Sequence, residues 1–425
     1  MTHILICTVG GSHQPIVTTI NELRPDYVCF VCTDKDPTTG QPGSRVQIEG
    51  KGNIIKASFQ DTSPTLPNIP SQCQLEAEQY GLLIVPADDL DRAYALIAER
   101  ATALSHQYPD ALIHADYTGG TKTMTAALVM AAIEHPTIEL RLVTGARGDL
   151  KQVHDGTEFG TPAMADGIRL RRAMAPYLSA WQHHGYAEAA HGLGKLTAPR
   201  EPALRAELQI ARDLSQAFDA WDRFAHQQAM DKLRLYRPRI GKQLGLSIKF
   251  LEQLCLDDGE PLKEPAQLLD LWRNAQRRAL QGRYDDAVAR GYRLLEWTAQ
   301  WLLRSRAGID TGDLQPEQLP ADMHIAPGRD GTRKAGLFDA WRLVAHHLPG
   351  IPGQFAKDES KRMLDHLKAR NQSILAHGFS PIDADTWHPF STWLDDAFIP
   401  MLSQCAAEAG LRLKPSQLPI IPPWE

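Results

Sequence analysis

The stretch ALIHADYTGGTKTMTAALVMAAIEH, residues 111–135, predicts a β-strand, a glycine turn and a helix in immediate succession. Four similar β-rich runs occur in the first 160 residues, namely HILICTV, YVCFVCT, GLLIVP and IELRLVTG. Helical patterns alternate with them, and DLDRAYALIAERATALSHQ is the clearest besides the one in residues 121–135. This alternation predicts an α/β domain, a mostly parallel Rossmann-like sheet covered by helices on both faces.

Two segments of this first part depart from the alternation. LKQVHDG, residues 150–156, follows the fifth β-rich run closely, which predicts an antiparallel hairpin at the edge of the sheet. Residues 35–72 are rich in Gly, Pro, Ser and Thr, and we expect them to form a long, partly mobile excursion. From about Asp166 the strand signals end and helical spacing continues, so the fold class is α/β followed by all-α.

The bulk properties predict an ordinary globular protein of two or three domains. The chain has 425 residues, 43% of them hydrophobic and 23% charged, and its formal net charge of −6 excludes a uniformly basic nucleic-acid coat. No apolar run approaches the roughly 20 residues of a membrane-spanning helix. The start, MTHILICTVGG, is typical of a first strand rather than a signal peptide. We therefore expect a cytoplasmic protein without membrane association.

Cys29 and Cys32 form a C-x-x-C motif within the apolar run YVCFVCTD. No second pair and no helix start accompanies it, so the pattern favours buried core thiols over metal binding or redox chemistry.

Two glycine-containing loops predict a ligand site at the carboxyl ends of the strands. CTVGGSHQPI leads from the first strand into the first helix, and DYTGGTKTM leads from the fourth strand into another helix, whose amino end and lysine favour an anion. Neither loop matches the dinucleotide or Walker A spacing, so a dehydrogenase or an ATPase is poorly supported. The simpler alternative is that these are ordinary strand-to-helix turns. The candidate ligand-binding residues are Gly10, Gly11, Ser12, Thr118, Gly119, Gly120, Thr121, Lys122 and Thr123.

The segment KARNQSILAHGF, residues 368–379, predicts a helix that carries Arg370, Asn371 and His377. Arg370 and His377 are two turns apart and share a face. An imidazole can transfer protons at neutral pH, and a guanidinium can hold phosphate oxygens in a bidentate fork. Together they are sufficient to cleave RNA without a metal, with Asn371 placed to hydrogen-bond the phosphate or the imidazole. A solvated helix face is the alternative.

A basic stretch lies upstream of this helix. Residues 272–306 contain eight arginines and three acidic residues, which would suit an RNA path even if some of the arginines pair within the fold. Arg290, Arg293 and Glu296 are candidate supporting residues. The spacing of Arg293 and Glu296 favours an ordinary i,i+3 ion pair.

Several of these motifs resemble a known family. RNQSILAHG resembles the R-x(4–6)-H signature of HEPN ribonucleases, and RYDDAVARGYRLLEW is similar to the first long helix of that domain. TVGGSHQPI and DYTGGTKTM resemble the ligand loops of CARF domains, which have a CRISPR-associated Rossmann fold. In this order along the chain, they resemble the CARF–HEPN ancillary ribonucleases of type III CRISPR systems.

This resemblance implies a CARF domain in residues 1–160, a helical linker that transmits the signal in 161–280 and a HEPN domain in 281–425. It implies a homodimer whose CARF domains bind one cyclic oligoadenylate as allosteric activator. Paired HEPN domains would then cut single-stranded RNA through Arg370, Asn371 and His377, without metal or other cofactor, leaving 2′,3′-cyclic phosphate ends.

Two alternatives share this architecture. One is a ligand-sensing regulator with a catalytically silent HEPN domain, and the other is a ring nuclease that degrades the cyclic oligoadenylate in its CARF domain. A metal-dependent nuclease lacks support, because the C-terminal part has no clustered acid–x–Lys core.

Overall fold

The computed structural model describes residues 2–40, 42–50, 66–145, 158–371 and 379–424, with the backbone alone described for 367–371. The chain divides into two compact units, Met1–Arg172 and Ala173–Glu425. The sequence-based boundaries after residues 160 and 280 stay predictions.

The N-terminal unit is built on a six-stranded sheet. Its strands are β1 (His3–Thr8), β2 (Tyr27–Cys32), β3 (Tyr80–Ile84), β4 (Leu112–Asp116), β5 (Ile138–Thr144) and β6 (Phe159–Ala163). They lie in the order β3-β2-β1-β4-β5-β6, with β6 antiparallel to β5 and every other neighbouring pair parallel. The predicted mostly parallel sheet is thus confirmed.

Helices cover both faces of this sheet. They are α1 (Gln14–Leu23), α2 (Val46–Glu49), α3 (Ile69–Gln72), α4 (Leu90–Gln107) and α5 (Lys122–Glu134), followed by α6 (Asp166–Ser179), which crosses the boundary between the units. Because side chains alternate along a strand, β1 contributes side chains to two hydrophobic cores, one on each face of the sheet. Ile4 and Ile6 belong to the core that includes α4 and α5, whereas Leu5 and Cys7 belong to the core that includes α1.

The two thiols of the C-x-x-C motif lie on opposite faces of β2. Cys29 belongs to the α4–α5 core and Cys32 to the α1 core, and both are fully buried. Burial raises the pKa of Cys29 and raises the pKa of Cys32 to about 12. These thiols cannot ligate one metal ion together, so the prediction of core cysteines is confirmed.

The segment after β2 packs more firmly than its composition indicates. Ile48 in α2 and Ile69 in α3 are buried in the α1 core, so the described parts of residues 35–72 are ordered against the sheet. Two apolar side chains anchor these short helices, and the expectation of a partly mobile excursion stays a prediction for the segment. LKQVHDG lies outside the described residues, and the antiparallel partner of β5 is Phe159–Ala163.

The described residues of the second unit form helices and no strand, as the loss of strand signals predicts, with a long loop at residues 308–336. Its helices are α7 (Tyr186–Lys195), α8 (Pro202–Asp222), α9 (His226–Leu254), α10 (Lys263–Leu280), α11 (Tyr284–Ala307), α12 (Leu337–His347), α13 (Ile351–Asp358), α14 (Ser360–Asn371), α15 (Ala384–Trp393) and α16 (Ile399–Glu408). Helices α10 and α11 pack tightly on each other, and α15 crosses α11 at Gly291. A methyl group at that position would come within 2.6 Å of the Phe390 ring.

Helix α9 bends sharply. In a straight helix, Arg237 and Glu252 would be separated by about 22 Å, since each residue adds about 1.5 Å. Their side-chain nitrogen and oxygen instead lie 3.8 Å apart. The bend therefore lies between these two residues, well after Pro238, in the stretch that contains Gly241 and Gly245.

The C-terminal tail binds back to the start of the second unit. Arg273 donates from Nε to the Pro415 carbonyl at 3.0 Å, and Tyr186 donates its hydroxyl to the Pro419 carbonyl at 2.7 Å. The Trp424 ring lies edge-on to Trp181 at 5.4 Å. The tail therefore completes a core that begins about 240 residues earlier in the chain.

Across both units, none of the described helices combines the length and the apolar character that crossing a membrane requires.

Candidate functional site

The two glycine loops lie where the strand order reverses. β1 and β4 are neighbours in the middle of the sheet, and the chain continues outward from them in opposite directions. The register pairs Cys7 with Asp116, so both strands end at the same edge. Ligands of open α/β sheets bind in the crevice outside such a reversal. The topology thus brings the two predicted loops together.

The glycines of the two loops pack backbone against backbone. A methyl group on Gly10 would lie 2.5 Å from the Gly120 nitrogen, and one on Gly119 would lie 2.5 Å from the Thr8 carbonyl oxygen. Gly120 also has a φ of +91°, which disfavours any other residue. Contact between the loops is a sufficient reason for these three glycines.

Gly11 differs from the other glycines of the site. No atom lies within 4 Å of a methyl group placed there, and the residue is exposed. Among the described residues, therefore, no contact explains its lack of a side chain. Close approach of a ligand to the backbone remains the predicted role of Gly11.

Hydrogen bonds hold the second loop in place. The hydroxyls of Thr8 and Thr125 both donate to the Gly119 carbonyl, at 2.5 and 3.1 Å. Thr121 caps helix α5 by accepting from the Met124 amide at 3.2 Å, and it donates to the Ala87 carbonyl at 2.8 Å. The donor capacity of these hydroxyls is therefore used within the protein.

A buried carboxylate lies beneath this loop. Asp116 is 2% exposed and accepts from both the amide and the hydroxyl of Thr118, at 2.8 and 2.5 Å, and from the Thr19 hydroxyl. Burial raises the pKa of Asp116, and these hydrogen bonds act in the opposite direction. Thr118 also accepts from the Val143 amide at 2.7 Å. Its hydroxyl thus positions the loop between β4 and β5.

The remaining candidates differ in how accessible they are. Lys122, at the first position of α5, and Ser12 are exposed, while Thr123 is half-buried. A free helix amino end with a lysine in its first turn can bind an anion. Of the nine candidate residues, Gly11, Ser12 and Lys122 are therefore the exposed ones.

Gln47 supports the first loop, and the sequence did not predict this role. It is fully buried in α2 and donates from Nε2 to the Gly10 carbonyl, while no described residue hydrogen-bonds its Oε1. The short sequence VQIE gives little helical signal, so only the tertiary structure reveals this support of the first loop.

Arg370 and Asn371 lie in the last turn of α14, and their side chains lie outside the description. His377 lies outside the described residues altogether. The predicted proximity of Arg370 and His377 therefore stays a prediction.

The flanks of that segment are firmly anchored. His366 in α14 stacks on Trp393 with ring centres 5.1 Å apart, and the Trp393 indole donates to Glu359 at 2.9 Å. Burial lowers the pKa of His366. After the gap, the Ile382 amide donates to Asp285 of α11 at 3.1 Å. The residues just before the candidate catalytic segment are therefore anchored to α15, and those just after it are anchored to α11.

The arginines of residues 272–306 are used inside the fold. Arg277 is fully buried, and it shares Asp222 with Arg278. Arg293 pairs with Glu296 at 2.9 Å, as its spacing predicts. The other partners are Asp286 for Arg283 and Arg290, Glu264 for Arg304, Glu408 for Arg306 and the Pro415 carbonyl for Arg273. Each of the eight arginines has a partner within the fold, yet the side chains of Arg283, Arg293 and Arg304 are at least half exposed, so the RNA path stays a prediction.

No group of three or more His, Cys, Asp or Glu side chains within the described ranges is arranged to hold a metal ion.

Comparison with known proteins agrees with this architecture. Residues 260–399 match the family model of the Csm6 HEPN domain. The fold is similar to that of Enterococcus italicus Csm6 bound to cyclic hexa-2′-fluoro-hexa-dAMP, with a TM-score of 0.56 and 13% identity over 96% of this chain and 95% of that chain. Can2 from Sulfobacillus thermosulfidooxidans, in complex with cyclic tetra-adenylate, matches 57% of this chain and 68% of its own at 15% identity and a TM-score of 0.22. No curated protein sequence matches significantly. The predicted resemblance to CARF–HEPN proteins is thus confirmed, and the chain has the Csm6 fold with a HEPN domain in its C-terminal part.

Proposed function

We propose that this protein is an endoribonuclease that cyclic oligoadenylate activates and that cuts single-stranded RNA in type III CRISPR defence. The observation that carries the proposal is the match of residues 260–399 to the Csm6 HEPN domain, because this range includes Arg370, Asn371 and His377. The Csm6 of similar fold binds a cyclic oligoadenylate analogue, which supports the same class of activator here.

The N-terminal cleft provides the activator site in this proposal. The amino end of α5, Lys122 and the open backbone at Gly11 are suited to phosphate groups. A cyclic oligoadenylate has rotational symmetry, and a two-fold dimer presents the same loop twice across its axis. One ring would therefore contact Lys122 of both subunits.

The catalytic step needs only the side chains of the HEPN segment. The 2′-oxygen attacks the neighbouring phosphorus while the bond from phosphorus to the 5′-oxygen breaks. His377 carries one of the two proton transfers, from the 2′-hydroxyl or to the leaving 5′-oxygen, and His377 of the partner subunit carries the other. Arg370 stabilises the charge on the phosphate oxygens, and Asn371 hydrogen-bonds the phosphate or the imidazole. The products are a 2′,3′-cyclic phosphate and a 5′-hydroxyl.

The test is to incubate the purified protein with labelled single-stranded RNA in EDTA, with and without each cyclic oligoadenylate. We expect cleavage only with one ring size, and products that end in 2′,3′-cyclic phosphate. Intact RNA under all conditions would contradict the proposal and favour the alternative, a regulator with a catalytically silent HEPN domain. Recovery of the activator as linear fragments in the same tubes would identify ring-nuclease activity.

A further inference from the structure

Helix α9 contains the longest stretch of positive charge without acidic residues in the helical unit. Between Asp231 and Glu252 it carries Lys232, Arg234, Arg237, Arg239, Lys242 and Lys249, and no Asp or Glu. The chain as a whole has a formal net charge of −6. The positive charge of α9 is therefore a local feature against an acidic background.

These cations differ from those of α10 and α11 in pairing. Lys232 pairs with Asp213 at 3.5 Å, and Arg237 has the longer contact with Glu252. No described carboxylate forms an ion pair with the other four, which are all exposed, namely Arg234, Arg239, Lys242 and Lys249. Each arginine of residues 272–306, in contrast, has a partner within the fold.

The exposed cations of α9 lie before its bend and around it. Arg234 precedes the bend, and Arg239, Lys242 and Lys249 lie in the stretch between Arg237 and Glu252 that contains it. Leu246 lies in the same stretch and is 72% exposed, and Leu235 before the bend is exposed to the same extent. The stretch packs inward through Ile240, Leu244 and Ile248, all of them buried.

We propose that the exposed surface of α9, residues 234–249, binds the phosphate backbone of single-stranded RNA. The inference rests on the proposed function, because RNA is the substrate there. Exposed cations that form no ion pair are suited to neutralise phosphates with release of counterions. A second copy of this surface is a poor partner, since an isologous contact would bring like charges together. Leu235 and Leu246 add exposed apolar surface to the same stretch.

The test combines Arg234→Gln, Arg239→Gln, Lys242→Gln and Lys249→Gln in a His377→Ala background, so that RNA is bound without being cut. Binding of a fluorescent single-stranded RNA is measured by anisotropy between about 50 and 200 mM salt. We expect at least about a tenfold loss of affinity at the lower salt. The negative slope of the logarithm of the binding constant against the logarithm of the salt concentration should decrease in magnitude by up to about 3, since each neutralised single-strand phosphate contributes about 0.7.

The matched control removes four other exposed cations of the same unit, by Lys195→Gln, Arg200→Gln, Arg329→Gln and Arg412→Gln. It should bind RNA as the parent does. Circular dichroism and thermal melting check the fold of both variants. If the fourfold variant unfolds, Lys242→Gln with Lys249→Gln replaces it, with half the change in slope expected.

Measuring RNA binding and RNA cleavage separately distinguishes failure of the α9 surface from failure of the proposed function. A variant that binds RNA with the parent's affinity and slope overturns the α9 surface, even if the active protein cuts RNA. The same result with a change in sedimentation mass also overturns it and identifies a contact between copies. Loss of binding in the variant supports the surface, even if no activator elicits cleavage and the proposed function fails. In a cleaving protein, the substitutions should raise KM and leave kcat unchanged.

Discussion

Gly10 and Gly120 belong to different loops, yet a methyl carbon on the first would lie 2.5 Å from the nitrogen of the second. The end of β1 and the start of α5 are therefore held at backbone distance. We predict that Gly10→Ala destabilises the N-terminal unit by about 1–3 kcal/mol, because the clash is with backbone that cannot rotate away. Faster hydrogen exchange in β1 and β4 measures the effect.

Gly11→Ala is the matched control for that change. Its methyl group meets no protein atom within 4 Å, so the stability should change by less than about 0.5 kcal/mol. If Gly11 contacts the activator, this variant loses affinity while its hydrogen exchange stays normal. Equal destabilisation by both substitutions would contradict the loop packing described above.

The second prediction concerns Lys122. Lys122→Ala should weaken binding of the activator by about ten- to a hundredfold per site, the loss expected for one charge-assisted hydrogen bond. At saturating activator the RNase rate should return to near the wild-type value, since the ligand selects the active state. A titration of RNase rate against activator measures both. Arg24→Ala, an exposed cation before β2 at the opposite edge of the sheet, is the control and should leave the midpoint unchanged. An unchanged midpoint for Lys122→Ala would remove this lysine from the site.

The third prediction concerns His377. His377→Ala should reduce RNA cleavage by about 10²–10⁴-fold, the usual contribution of a general acid or base, and leave activator binding intact. His388→Ala, at an exposed histidine of α15, is the control and should cleave normally. Single-turnover cleavage rates with labelled RNA test this prediction. Cleavage by His377→Ala within a few-fold of the wild-type rate would refute its role.

The fourth prediction is a pH dependence of stability. His184 is 3% exposed, and its Nδ1 lies 2.9 Å from the Tyr186 hydroxyl, which donates to Pro419. Burial, reinforced by the nearby Arg277, lowers the pKa of His184 to about 4. Between about pH 6.5 and 4 the unfolded chain binds a proton there that the folded chain does not. The free energy of unfolding of the helical unit should therefore be fully retained above pH 6.5. It should fall by up to about 3 kcal/mol as the pH drops to 4.

Tryptophan fluorescence during urea unfolding measures this loss in the second unit alone, because all nine tryptophans lie after residue 172. His184→Gln is the test variant, since it cannot take up the proton. Its unfolding free energy should change less with pH than that of the wild type in this window. Equal slopes for both proteins would exclude His184 as a source of the dependence.

The sheet and its ligand loops were predictable because their signals are local. Each strand is a short apolar run, and the glycines at positions 10, 119 and 120 mark the turns that follow β1 and β4. The position of β6 was not predictable, because the sequence signal favoured residues 150–156, whereas Phe159–Ala163 pairs with β5. An edge strand with little apolar content gives a weak pattern.

The pairing in the helical unit has a tertiary origin. Composition identified the arginines of residues 272–306 as basic, but the partner of Arg277 and Arg278 is Asp222, which lies more than fifty residues earlier. Pairing at that distance in sequence leaves no periodic signal. The role of Gln47 is likewise set by a contact with Gly10. Sequence therefore indicated the loops of the candidate site, and the structure added what supports them.

The return of the tail to Trp181 has a consequence for synthesis. Domains fold as units while the ribosome is still adding residues. The N-terminal sheet is complete once β6 has emerged, whereas the helical unit lacks part of its core until Trp424 has left the exit tunnel. The helical unit thus completes its core later in synthesis than the N-terminal sheet does. A nascent chain stalled before Trp424 would carry a complete sheet and an incomplete helical core.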